Sequence, residues 1–182
     1  MSIIKTAARL EGISEYYFAT KLREIAEMRA KGIPVINLGI GSPDLPPAPE
    51  VTEALTASAA LPSSHGYQSY TGIPALREAW TNWYQQYYNT TLNPVNEVLP
   101  LIGSKEGIMH IAMTFLEPGD IALTPDPGYP TYRAASLLAG ATVQAYSLSA
   151  DTDWQPDFEA LEKTDLSKIK LMWVNYPHMP TG

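Results

Sequence analysis

The chain of 182 residues contains no cysteine. Disulfides and thiolate metal sites are excluded, and the composition suits a reducing compartment. Histidine is scarce too: His65, His110 and His178 stand far apart, without metal-ligand spacing, and read as surface or packing residues. No metal is expected. Basic residues are outnumbered, 12 Lys and Arg against 19 Asp and Glu, for a net charge of −7. Nucleic acid is therefore a poor partner, and no block of like charge marks an interaction tail. No apolar run approaches the ~20 residues of a membrane span. The opening Met1-Ser-Ile-Ile-Lys-Thr lacks the apolar segment of a signal peptide. A cytoplasmic protein with no membrane partner is the expectation. No G-x-G-x-x-G stands at a strand–helix junction, which argues against a dinucleotide-binding enzyme.

With 45% hydrophobic residues the chain can bury a real core, and its length suits one large domain or a domain with an appendage. Prolines and glycines fall between periodic segments, as in Pro43-Asp-Leu-Pro-Pro-Ala-Pro49, and mark shaped loops rather than disorder. Residues 16–31 predict an amphipathic helix with Phe18, Leu22, Ile25 and Met28 on one face, stopped by Gly32 and Pro34. A short strand at 35–38 should run into the glycine loop Gly39-Ile-Gly-Ser-Pro-Asp44. Helices follow near 49–60 and from Pro74. The second carries Trp80, Trp83, Tyr84, Tyr87 and Tyr88, a stripe that reads as core or subunit interface. Beyond residue 98 the pattern alternates. Strands at 98–102, 121–124, 141–147 and 169–175 are separated by helices at 105–116, 130–139 and 156–163. That rhythm predicts an α/β fold, a mostly parallel sheet with helices on both faces. Ligands in such sheets sit beyond the carboxyl ends of the strands.

One of those ends is Gly103-Ser104-Lys105, between the apolar run 98–102 and the next helix. The amides that open a helix lack partners within it and face the positive end of its dipole. Ser104 adds a hydroxyl, Lys105 a charge, and Gly103 room for a ligand to approach the backbone. The combination suits a phosphate, although an ordinary strand–helix turn would look the same. The chain stops in a loop directly after an apolar strand, so the N-terminal part of a longer protein is expected.

Several spaced segments together resemble one family. They are Asn37-Leu-Gly-Ile-Gly-Ser-Pro-Asp44, Tyr67-x-x-x-x-Gly72-Ile-Pro-x-Leu-Arg77, Gly103-Ser-Lys-Glu-Gly107, Pro118-Gly-Asp120, Asp126-Pro-Gly-Tyr-Pro130 and Pro180-Thr-Gly182. In this order the set is similar to the class I/II aminotransferases, fold-type I enzymes that depend on pyridoxal 5'-phosphate (PLP). The resemblance implies that residues 1–45 contribute to a small domain and a substrate loop. Residues 46–182 would form the N-terminal part of the PLP-binding large domain, cut off after that half.

The resemblance also implies roles. Gly103, Ser104 and Lys105 match the segment holding the cofactor's phosphate, and Tyr129 the aromatic stacked on its ring. Tyr67 matches the tyrosine that reaches the neighbouring subunit's phosphate in a homodimer. Ile40 and Gly41 match the loop that closes on substrate. There is one departure: Met179 stands where the family has an asparagine that donates to the ring's phenolic oxygen, and methionine cannot donate. Asn175 or His178 would then substitute, or the ring electronics differ, and Asn175 is counted with the cofactor-binding residues. The covalent lysine, the aspartate at the ring nitrogen and the arginine for the substrate carboxylate would all lie beyond Gly182. No catalytic residue is therefore expected within the chain. None of Lys5, Lys21, Lys31, Lys105, Lys163, Lys168 or Lys170 takes the covalent lysine's place. The implied activity is transfer of an amino group between an amino acid and a 2-oxo acid. Gly-Ser-Lys-Glu-Gly and Tyr-Tyr-Phe-Ala look closest to the subgroup of LL-diaminopimelate, aspartate and alanine aminotransferases. A PLP-dependent C–S lyase and a non-catalytic remnant or regulatory module remain the alternatives.

Overall fold

The computed structural model describes residues 4–13, 15–39, 41 and 43–182. The chain divides into two compact units. One is Tyr16–Pro100, and the other joins the described part of Met1–Glu15 to Leu101–Gly182.

The Tyr16–Pro100 unit holds three helices: α1 (Tyr17–Ala30), α2 (Pro49–Ala59) and α3 (Pro74–Tyr88). Proline opens α2 and α3, where its missing N–H costs nothing and its fixed φ already suits the helix. Asn89 ends α3 in the left-handed conformation, an accepted role for asparagine at a helix end. Arg77 on α3 ties down the next segment, with Nη1 donating to the carbonyls of Pro94 (2.9 Å) and Val95 (3.1 Å). The aromatic stripe of α3 does not enter a core. Its rings pack on one another at 5.2–6.5 Å and stay exposed, and Thr81 is the buried residue of the helix.

The expected strand 35–38 does not form. It has no partner among the described residues, and the Asn37 side chain accepts from the Gly39 amide (2.9 Å), which bends the chain locally.

The other unit carries the sheet. After α4 (Ser104–Phe115) the chain runs through β1 (Ile121–Asp126), α5 (Pro130–Leu138), β2 (Thr142–Ser147), α6 (Phe158–Glu162) and β3 (Ile169–Met172). The three strands are parallel in the order β2-β1-β3. The central β1 is apolar along most of its length and buried from Ala122 to Pro125, as a strand covered on both faces must be. The fourth expected strand, 98–102, is absent. Pro100 lies in the middle of that run and cannot donate to a ladder, so the apolar residues extend without pairing. β3 ends at Met172 rather than at 175.

A register shift between Ile121 and Ala122 opposes Lys170 as the extra residue of β3. The shift aligns the faces. Ala122 and Leu171 join Ile108, Ala112 and Leu116 of the α4 region, Tyr132 and Ala135 of α5, and Trp173. Leu123 and Met172 join Tyr146, Leu148, Trp154 and Leu161 of α6 on the other side. Helices thus cover both faces of the sheet. Ile108, Ala112 and Leu116 are spaced by four, one stripe down α4. α4 packs chiefly against α5, and its Ala112 shares the core cluster with Ala122 of β1.

Buried polar groups fasten β3 to its neighbours. Fully buried Ser136 accepts from Trp173 Nε1 (3.1 Å) and donates to the Tyr132 carbonyl (2.8 Å), while the Tyr132 and Trp173 rings stack at 5.3 Å. From β2, the Tyr146 hydroxyl donates to the Trp173 carbonyl at 2.6 Å. Burial, then the nearby Tyr176 and Tyr132, push the Tyr146 pKa up to about 12 from 10.0. The unfolded chain therefore releases this proton first. Its stabilisation is complete below pH ~10 and fades as the pH climbs toward ~12. Tyr146→Phe is expected to cost about 1–2 kcal/mol near neutral pH, because a buried carbonyl loses its donor. It should also remove the Tyr146 share of the alkaline loss. Urea unfolding at a series of pH values measures both.

Candidate functional site

Like α1, α2, α3 and α5, α4 begins without a side-chain cap. Gly103 is the N-cap and supplies no side-chain acceptor. Its backbone is extended (φ 174°), a conformation open to any residue, and a Cβ built there would meet nothing within 4 Å. Neither backbone conformation nor crowding within the chain demands glycine. What the glycine provides is open space beside the first amides of α4. Gly103, Ser104 and Lys105 are all exposed.

Tyr129 reaches the same place from β1. The turn Asp126-Pro-Gly-Tyr129 is tight: a Cβ on Gly128 would run into the Pro125 carbonyl, so only glycine fits. Tyr129 then caps α5 and packs edge-on against Tyr132 at 5.8 Å, half-buried on the core. Lys105 Nζ lies 5.7 Å from the centre of the Tyr129 ring, within cation–π range. Burial pushes the Tyr129 phenol up. Hydrogen bonds to Thr131 and Lys105 and the Lys105 charge outweigh it, leaving the pKa below the usual tyrosine value. A cation, an aromatic face and the start of a helix thus meet at one point.

The loop after β3 brings Asn175 to the carboxyl end of the strand beside β1. Asn175 Oδ1 accepts from the Met179 amide (3.2 Å), which leaves its Nδ2 as the donor it can offer. His178 is buried, with Nδ1 paired to Thr181 Oγ1 at 2.8 Å. Its Nε2 has no hydrogen-bond partner among the described residues. Met179 is exposed.

Tyr67 and Gly41 belong to the Tyr16–Pro100 unit. Tyr67 is fully exposed, and a Cβ on Gly41 would also meet nothing within 4 Å. Ile40 lies outside the described residues. Among the described residues no cluster of His, Asp or Glu could hold a metal, and no helix is long and apolar enough to cross a membrane. Sequence reasoning passed over two residues here. Glu106 bonds back to the Ile102 amide and Gly107 sits beneath Leu101. A glutamate three residues after the cap was the available sign of the first.

An open parallel sheet with loops gathered beyond its strand ends defines an α/β protein of the ligand-binding kind. The family model for aminotransferase class I and II matches residues 33–182, and the chain belongs to that family. An LL-diaminopimelate aminotransferase of Dehalococcoides mccartyi is 47% identical over 179 residues, 98% of this chain and 46% of that protein. The solved structure of apo-BacF from Bacillus subtilis has a TM-score of 0.91 at 38% identity, covering 98% of this chain and 46% of its own. A Thermus thermophilus aspartate aminotransferase mutant, 23% identical with a TM-score of 0.89, covers 99% and 47% and shows the shared fold. The chain spans about half the length of the curated relatives it matches.

The family depends on PLP, and the residues present fit its two ends. Open space beside the first amides of α4, with Lys105 adjacent, suits the anionic end. The half-buried Tyr129 ring suits the flat end. The residue at 179 fits less well, since it offers no donor to the ring oxygen. If the glycine exists to leave room, Gly103→Ala should hold the unfolding midpoint within about 2 °C, as a side chain in open space does. It should weaken retention of the phosphate-bearing cofactor several-fold. Thermal melts and cofactor titration of the full-length protein check both.

Proposed function

We propose that this chain is the cofactor-cradling half of a PLP-dependent aminotransferase, which moves an amino group between an amino acid and a 2-oxo acid. The observation that carries the reading is the meeting of Lys105, Tyr129 and the opening of α4, in a chain of the aminotransferase family. When bound, PLP supplies an electron sink for charge that develops at the substrate α-carbon. The chain's own residues bind and orient it. The amides of Ser104 and Lys105, backed by the α4 dipole, hold the phosphate, and the Lys105 ammonium neutralises part of its charge. Tyr129 keeps water from one face of the ring. Asn175, with Oδ1 committed to the Met179 amide, turns its Nδ2 donor to the phenolic oxygen in place of the missing asparagine.

In this reading residues 1–45 serve a small domain and substrate loop, and 46–182 begin the large domain. Gly41, with no neighbour within 4 Å to fill its side-chain position, leaves room for the substrate carboxylate, and Ile40 precedes it in the same motif. Tyr67, fully exposed here, reaches the phosphate of the neighbouring protomer in a homodimer. The remainder of the full-length enzyme supplies the covalent lysine, so catalysis needs both halves. The names of the similar proteins favour LL-diaminopimelate as the amino donor, and a chain without cysteine suits work in the cytoplasm.

Lys105→Ala in the full-length protein is expected to weaken PLP binding roughly tenfold or more, as loss of a charged phosphate contact does. Spectrophotometric titration measures it, and unchanged affinity would remove Lys105 from the cradle. Amino transfer from LL-diaminopimelate to 2-oxoglutarate tests the activity itself.

A further inference from the structure

The motif Gly103-Ser-Lys-Glu-Gly107 has two residues, Glu106 and Gly107, with no role in the reading above. Glu106 lies at the third position of α4 and folds back. Its Oε2 accepts from the Ile102 amide at 2.7 Å, and its own amide donates to the Gly103 carbonyl at 3.1 Å. The side-chain bond reaches one residue further back than a capping box, in which the glutamate accepts from the cap's own amide. Glu106 thus ties the chain before α4 to its first turn, through its side chain at Ile102 and its backbone at Gly103. Gly107 lies beneath Leu101: a Cβ there would fall 2.6 Å from Leu101 Cδ1, a side-chain end that would have to move aside. Ile102 is almost wholly exposed and contributes little packing of its own. Glu106 Oε1 in turn lies 3.5 Å from His110 Nε2, one turn along the same exposed face.

We infer that the Glu106 side chain is a positioning group for the phosphate cradle, holding the Ile102 amide so that the amides opening α4 are arranged before the anion arrives. The inference rests on the proposed PLP site. A carboxylate is not what an anion site would choose on electrostatic grounds, since its charge repels the phosphate. Its presence is explained by the acceptor it provides. Backbone N–H groups bind an anion well only when the loop bearing them is already ordered, because otherwise binding must supply that order. Among glutamate, glutamine and alanine, the acceptor and the charge can be separated.

The test uses the full-length protein and two probes, PLP and pyridoxal, which lacks the phosphate. Glu106→Ala should weaken PLP about fivefold, the size of a lost helix cap, and leave pyridoxal unchanged. Glu106→Gln keeps an acceptor for the Ile102 amide and removes the opposing charge. It should bind PLP at least as tightly as the parent protein, by up to about threefold at low salt, a gain that salt screens away. Three outcomes overturn the inference: parental PLP affinity in Glu106→Ala, an equal loss of PLP and pyridoxal in that variant, or an equal loss in both variants. The second would mean that Glu106 only supports the fold. Failure of the PLP reading looks different, because the parent protein itself would then bind PLP no better than pyridoxal.

Discussion

A helix that begins without a side-chain cap leaves its first amides in need of acceptors, and α4 begins this way at Gly103. What distinguishes α4 is what stands beside that deficit. α1, α2, α3 and α5 share it, and among the described helices α6 is relieved of it by Asp157, which accepts from the Ala160 amide at 2.9 Å. At α4 the chain offers open space and a lysine. A phosphate supplies the oxygens that the chain withholds, and the helix dipole favours its charge.

The rest of the sheet unit can be understood as the support for this opening. Ile108, Ala112 and Leu116 anchor α4 to β1 and α5, so the helix start is fixed by burial further along. Tyr129 is fixed through Tyr132, whose ring stacks on Trp173, and through Ser136, which binds the Trp173 indole and the Tyr132 carbonyl. Tyr146 reaches the same tryptophan from β2. These hydrogen bonds lie in the interior and each has a partner, the condition under which buried polar groups make an arrangement specific rather than costly. The cation and the aromatic face therefore come from two elements that share one core.

Much of this was legible in the chain. Pro74 announced a helix start, Gly32 and Pro34 a stop, and the β–α alternation beyond residue 98 predicted the parallel sheet with helices on both faces. The misreadings share a cause. Val98-Leu-Pro-Leu-Ile102 and Val35-Ile-Asn-Leu38 are apolar enough for strands, but pairing depends on a partner that local composition does not reveal. Of the two readings of the α3 aromatic stripe, core and subunit interface, the exposed rings speak against the core alone. The approach of Lys105 to Tyr129 links residues 24 positions apart and depends on α4 packing against α5, which Tyr129 caps. Only the family resemblance pointed to it. Glu106 was legible and passed over, because its bond goes to the Ile102 amide, one residue before the cap.

The most direct measurement is a crystal structure of the full-length protein with PLP. The account predicts phosphate oxygens within about 3 Å of the Ser104 and Lys105 amide nitrogens, with the ring against Tyr129. A phosphate bound elsewhere, or side chains filling the space beside Gly103, would contradict it.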